Sequence, residues 1–230
     1  MTLAAGAVTV LAEGAVVLHG FAAADADDHL AAITAIAAAA PFRNYRVPGG
    51  ARMSVAMTAC GTWGWVADPT GYRYADRDPI GGRPWPAMPE PWRQLARRAA
   101  AAAGFPDPDP DGCLINRYAV AARMGLHRDA DEDDREACIV SVSLGLPARF
   151  RFGGTEKGGP TRSCRLDHGD VAVWGGPARL AYHGIDPVRP GGHPATGAFR
   201  YNLTLRRARL RPTGPAAMPQ SAANAAEAEL

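Results

Sequence analysis

The chain has 230 residues, 47% of them hydrophobic and 21% charged, enough to bury one substantial core with a small appendage. Lysine plus arginine number 25 against 23 acidic residues, a formal charge of +2, which excludes a polybasic, tail-driven nucleic-acid binder but not a local basic groove. Four scattered cysteines (Cys60, Cys113, Cys138, Cys164) with no CxxC pair exclude a zinc ribbon or a disulfide scaffold and point to reduced thiols in a cytoplasmic protein.

Residues 1–20 are apolar but lack a basic leader and contain Glu13. They read as two short strands, 8–11 and 15–18, rather than as a signal peptide. No apolar run approaches the roughly 20 residues of a membrane helix, so the expectation is a soluble, cytoplasmic chain. Residues 25–40 are alanine-rich, begin with acidic side chains and stop at Pro41, which predicts a helix. The stretch 43–90 is rich in Gly, Pro and aromatic residues (Trp63, Trp65, Tyr72, Tyr74, Trp85), broken by turn signals at Asp68-Pro-Thr-Gly71 and Gly81-Gly82. Residues 91–103 predict a second helix, with proline in its first turn and Gly104 as its stop. From Cys113 onward, short β-prone runs recur at 113–118, 139–144, 149–152, 163–166, 171–174, 180–184 and 199–206, a spacing that argues for a sandwich or barrel. Residues 212–230, Ala/Pro/Gln/Asn-rich, read as a disordered tail.

Three features of the second half carry chemistry. In His127-Arg128-Asp129 an imidazole and a carboxylate two residues apart share a face if the backbone is extended, while Arg128 points away. His183 lies on a later predicted strand, and two histidines with one carboxylate form the facial triad that binds Fe(II) with positions left open. In Phe199-Arg-Tyr-Asn-Leu-Thr-Leu-Arg206 the alternation is clean: Arg200, Asn202, Thr204 and Arg206 share one face, and Phe199, Tyr201, Leu203 and Leu205 share an apolar one. The two arginines stand about 20 Å apart along the strand, placed either to grip the ends of a short dicarboxylate or to end a solvent face.

These residues resemble the AlkB family of Fe(II)- and 2-oxoglutarate-dependent dioxygenases. The resemblance is carried by Asn116-Arg-Tyr118, His127-Arg-Asp129-Ala-Asp131-Glu132, Ile139-Val-Ser-Val-Ser-Leu-Gly145, His168-Gly-Asp170-Val-Ala-Val-Trp174, His183-Gly184 and Arg200-Tyr-Asn202-Leu-Thr-Leu-Arg206. Upstream it continues through Met53-Ser-Val-Ala-Met57, Cys60-Gly61, Gly64-Trp65, Gly71-Tyr72-Arg-Tyr74 and Pro84-Trp-Pro-Ala-Met-Pro89, so it spans residues 21–207 in order.

The resemblance implies an α+β, mainly β fold: a double-stranded β-helix (jelly-roll) core with flanking N-terminal helices and a nucleotide-recognition lid. It divides the chain into N-terminal strands and helix (1–42), lid (43–90), core with its preceding helix (91–211) and tail (212–230). It implies Fe(II) on His127, Asp129 and His183, which are also the catalytic residues, and O2 as the second cosubstrate. 2-Oxoglutarate would be bound by Asn116, Tyr118, Arg200, Asn202 and Arg206, with Arg200 on its distal carboxylate, since charge-assisted bidentate contacts suit a double anion. The implied reaction is oxidative demethylation of N1-methyladenine and N3-methylcytosine in DNA, single strands favoured and RNA possible, releasing formaldehyde, succinate and CO2. Substrate contacts would come from Met53, Met57, Trp65, Tyr72, Arg73, Tyr74, Asp131 and Lys157, because a methylated base must leave its stack to reach a buried metal and extruded bases settle on aromatic platforms. A monomer is expected.

Where the family tends to carry Pro-Gly after the NxY tyrosine, this chain has Val120-Ala121, and Lys157 stands where a relative carries arginine. His168 reads as a turn residue, Trp174 as core, and Asp133, Asp134 and Glu136 as solvated loop charges. Three rivals stand beside the family reading: the same chemistry on tRNA or protein, a zinc hydrolase, which has no use for Arg200 and Arg206, and a silent nucleic-acid binder, which does not need three intact ligands.

Overall fold

The short β-prone runs are realised as strands in the computed structural model, which describes residues 6–210. In chain order the elements are β1 (Val8–Ala12), β2 (Ala15–Leu18), α1 (Ala26–Ala39), β3 (Ala56–Gly61), β4 (Gly64–Asp68), β5 (Gly71–Ala75), α2 (Glu90–Ala102), β6 (Gly112–Tyr118), β7 (Met124–His127), β8 (Ile139–Gly145), β9 (Ala148–Gly153), β10 (Thr161–Leu166), β11 (Val171–Trp174), a 3-10 turn (Gly176–Ala178), β12 (His183–Ile185) and β13 (Arg200–Arg206). The expected tail, 212–230, lies outside the described residues.

Seven strands form an antiparallel sheet in the order β1-β2-β11-β8-β13-β6-β3, and four form a second, β10-β9-β12-β7. Their facing sides enclose the jelly-roll interior; β4 and β5 pair only with each other. Along β8 every residue is buried, because both faces of its sheet are covered. Val140, Val142 and Leu144 pack with Trp92, Leu95 and Ile33 under the helices, whereas Ile139 joins Phe150, Phe152 and Trp174 between the sheets. β13 divides the same way: Leu203 and Leu205 face the helices, and its polar side turns into the interior.

The helices follow from their spacing. α1 buries His29, Ile33 and Ile36, and α2 buries Trp92, Leu95, Ala96, Ala99 and Ala100, the i, i+3, i+4, i+7 stripe of a helix lying on a sheet. Pro91 occupies the first turn of α2, and Gly104 follows it at φ +81, where a left-handed residue ends the helix without a Cβ clash. Full burial of Trp92 and Leu95 contributes about 1.5–3 kcal/mol for a side chain of leucine size.

Three local expectations shift. Asp129 lies beyond the end of β7 rather than on a strand. The run expected at 180–184 becomes a strand only from His183, because Pro177 opens a tight turn that is still closing at Ala181, whose N–H bonds to Ala178 O. β3, from the 43–90 stretch, is an edge strand of the seven-stranded sheet beside β6. Among the described residues, no helix is long and apolar enough to cross a membrane.

Candidate metal and cosubstrate site

The pairing of the four-stranded sheet puts His183 directly opposite His127. Directly paired residues of an antiparallel ladder project to one face, so the two rings meet with centroids 4.5 Å apart. Each ring is oriented from behind: His127 Nδ1 lies 2.9 Å from Gly125 O and His183 Nδ1 3.0 Å from Ala181 O. A carbonyl can only accept, so Nδ1 carries the proton and Nε2 is left as the free lone pair.

Asp129 completes the set, its carboxylate oxygens 3.8 Å from His127 Nε2 and 3.7 Å from His183 Nε2. The three ligand atoms all fall within 4.8 Å of one another. Two N or O ligands each about 2.1 Å from one ion lie about 3 to 4.2 Å apart, so the spacing suits a single metal. Trp174, Phe150 and Phe152 wall His183 with centroids at 4.7, 6.1 and 6.4 Å. Burial, with His127 adding to it, lowers the His183 pKa to about 4. Burial would raise the Asp129 carboxyl, but Arg206 above all, with both histidines and Arg179, outweighs it and holds the group at about 2. A neutral His183 imidazole and an ionised Asp129 carboxylate are protonation states that suit a metal.

β13 supplies the other half. Its polar face is buried, not solvated: Arg200 is 1% and Arg206 5% exposed. Arg200 donates through Nη2 to Ser143 Oγ at 3.0 Å and lies over the Tyr118 ring, while its Nε and Nη1 have no partner. An arginine buried this deeply without an acidic neighbour costs several kcal/mol, so its two free donors fit an anionic ligand. Burial lowers the Arg200 pKa and raises that of Tyr118. Asn202 donates to Ser141 Oγ and Val142 O and accepts from Asn116 Nδ2 and Thr204 Oγ1. One cavity touches Asn116, Tyr118, Arg200, Asn202, Arg206 and both histidines. A larger groove lined by Leu146, Arg149, Arg165 and Arg189 contains none of them.

Arg206 reaches the triad itself. Its Nη2 lies 2.8 Å from Asp129 Oδ2, although that oxygen has no aligned hydrogen-bond donor and keeps its lone pairs for an ion. Arg206 Nη1 donates to Tyr74 OH, which donates to Glu132 Oε1 at 2.6 Å, and Glu132 meets Arg179 Nη2 at 3.3 Å. Glu132 stands in the motif that carries the resemblance but without a role there, and Arg179 carries no sequence signal, since each acts inside the fold. Ser141 and Ser143 did carry one: serine at alternate positions of an otherwise apolar strand marks the interior face.

The residues expected at the substrate side occupy different depths. Trp65 on β4 stacks on Tyr72 of β5 with centroids 5.5 Å apart at 16°, meets Tyr45 edge-on, and donates Nε1–H to Asp131 Oδ2 at 2.8 Å. Asp131 is exposed and Tyr72 is 48% exposed. Tyr74, on the same strand as Tyr72, is turned inward and 7% exposed. Arg73 pairs with Asp68 on the outside of the hairpin. Met57 is buried in β3 and Met53 is half-buried beside it. Lys157 is exposed on the loop between β9 and β10, which leaves the sheet where Gly153 N bonds to Tyr182 O, next to His183. His168 sits on a turn, its Nδ1 accepting from Gly145 N. Ala121, in place of the family's glycine, adopts φ +66.

Comparison with known proteins agrees with this geometry. A family model described as the 2OG-Fe(II) oxygenase superfamily matches residues 14–206. The alpha-ketoglutarate-dependent dioxygenase AlkB of Salmonella typhimurium is 54% identical over 198 residues, 86% of this chain and 92% of that protein. The Escherichia coli protein of the same name matches to the same extent. The solved structure of OsALKBH1 superposes with a TM-score of 0.79 at 28% identity, over 87% of this chain and 100% of that one.

Proposed function

The chain belongs to the 2OG-Fe(II) oxygenase superfamily and, within it, to the AlkB dioxygenases, and from that premise we propose that it demethylates N1-methyladenine and N3-methylcytosine in DNA, single strands first. The observation that carries the substrate is the Trp65–Asp131 hydrogen bond, which sets an aromatic face beside a carboxylate two residues from the metal ligand Asp129. An alkylated adenine or cytosine is a flat cation. A tryptophan face attracts it through stacking and the ring quadrupole, and a carboxylate through charge. A neutral base gains less from that pair.

Fe(II) would be held by His127, Asp129 and His183. When bound, the ferrous ion and 2-oxoglutarate supply the oxidation of the N-methyl group by O2, with succinate, CO2 and formaldehyde as products. The protein's part is positional. Arg200, Tyr118 and Asn116 take the distal end of the keto diacid, Asn202 fixes Asn116, and Arg206 steadies Asp129 while contributing positive charge at the metal end. Trp174, Phe150 and Phe152 keep water from His183. Tyr72 and Trp65 hold the extruded base, Met53 and Met57 back it from the core side, and Tyr74 fixes the hairpin through Glu132. Arg73 and Lys157 receive flanking phosphates. We further propose a cytoplasmic monomer, supported by its four free cysteines; single strands come first because a single-stranded base needs least energy to be presented.

The test incubates the protein with Fe(II), ascorbate, 2-oxoglutarate and a single-stranded oligonucleotide bearing N1-methyladenine. Restored adenine with formaldehyde and succinate in equal amounts is expected; 2-oxoglutarate turnover without base restoration overturns the substrate assignment.

A further inference from the structure

Residues 128–137 belong to no helix or strand, yet they carry Asp129 and bury Glu132. Buried carbonyls outside a ladder need donors from elsewhere, and a single side chain supplies three of them. Arg179, 3% exposed, donates through Nη1 to Asp129 O at 2.9 Å, through Nε to Ala137 O at 3.0 Å and through Nη2 to Asp134 O at 3.4 Å. The same Nη2 meets the Glu132 carboxylate. Arg179 follows the 3-10 turn directly and precedes His183 by four residues, and between them Ala181 O accepts from His183 Nδ1. One guanidinium therefore ties the loop that bears the carboxylate ligand to the segment that bears the second histidine.

We infer that Arg179 is a positioning residue of the metal centre, acting on the ion through other groups: the main chain of Asp129 and the Glu132 carboxylate. By holding that carbonyl it sets where the carboxylate points, and by holding Glu132 it sets Tyr74 and Arg206, which lean on the same acid. Arginine is required because its planar fork presents donors in several directions at once; a lysine ammonium is a single point and cannot span carbonyls eight residues apart. The inference rests on the triad being the metal site.

The experiment titrates Co(II) into the metal-free, full-length protein and follows its visible absorption band, for wild type, H127A, R179Q and R179K. Wild type is expected to bind one ion and H127A to lose the band. R179Q is expected to keep its far-UV circular dichroism and cooperative melting without metal, yet to bind Co(II) about 10–100-fold more weakly, the usual cost of losing a ligand's outer support, with an altered band; R179K recovers only part of the loss. R179Q binding within twofold of wild type with an unchanged band overturns the inference while leaving the triad standing. Unchanged binding by H127A overturns the triad and the inference with it. If R179Q does not fold, R179K decides: a folded R179K with wild-type affinity and band overturns the role.

Discussion

His127 and His183 are direct cross-strand partners on β7 and β12, so the separation of their rings is set by the sheet itself rather than by a loop. A ladder holds paired side chains about 4.5–5.5 Å apart at Cβ, and both Nδ1 atoms are pinned by carbonyls of their own chain segments. The metal site thus has two rigid ligands and one, Asp129, on an irregular segment that needs its own supports.

His127→Ala is expected to abolish turnover while weakening oligonucleotide binding only modestly, because one ligand is lost but the Trp65–Tyr72 wall is untouched. Formaldehyde release and a fluorescence-anisotropy titration separate the two effects. Retained 2-oxoglutarate-dependent formaldehyde release would refute the ligand assignment.

Arg200→Ala removes the free, buried donors Nε and Nη1. With hydrogen bonds to charged groups at about 1.5–3 kcal/mol each, a loss of about 3 kcal/mol corresponds to a rise of about 100-fold in the 2-oxoglutarate KM. The KM for oligonucleotide should stay essentially unchanged. Steady-state kinetics with each substrate varied in turn check this, and an unaltered 2-oxoglutarate KM removes Arg200 from the role.

Trp65→Ala deletes the stacking face and the donor to Asp131. Base–aromatic stacking is worth about 1–3 kcal/mol, so the KM for methylated oligonucleotide should rise about 5- to 100-fold while that for 2-oxoglutarate does not move. Trp65→Phe should recover most of the stacking but not the hydrogen bond.

Asp78→Asn tests a pH-linked brace. The Asp78 carboxylate pairs with both terminal nitrogens of Arg43, Nη1 and Nη2, and accepts from Ile80 N. Arg43, first of all, holds its pKa below the ordinary value. A carboxyl depressed on folding stabilises above its unfolded pKa, near 4, and loses that contribution as pH falls through the folded value. The variant should therefore be about 1 kcal/mol less stable than wild type in urea at pH 7, the difference shrinking as pH falls below about 4. An equal gap at both ends contradicts the linkage.

Ala121→Gly is expected to stabilise. Ala121 adopts φ +66 between Tyr118 and β7, with its N–H bonded to Val188 O. The left-handed conformation costs an L-residue about 1–2 kcal/mol, against about 0.5–1 for the extra freedom of glycine in the unfolded chain. A net gain of about 0.5–1 kcal/mol, or roughly 1–4 °C in Tm, should appear in thermal unfolding; a lower Tm would contradict it.

What the amino-acid sequence determined by itself is what depends on local period and short spacing. The alternation of β13 declared that Arg200, Asn202, Thr204 and Arg206 share a side, because a strand repeats every two residues, and Pro91 with Gly104 marked the ends of α2. What alternation leaves open is which side is wet. The same β13 pattern describes a solvent face equally well, and only the closure of two sheets around it buried both arginines and left Arg200 with two free donors. The Arg179 brace belongs wholly to the tertiary level. Its partners at 129, 132, 134 and 137 are some 40 to 50 positions away on a segment with no period, and nothing in their order shows that one guanidinium must satisfy their carbonyls. Tyr74 is the mixed case. The turn signal before Tyr72 and Tyr74 was legible, but the hairpin and the inward turn of Tyr74 toward Glu132 exist only once β4 and β5 lie against the jelly roll.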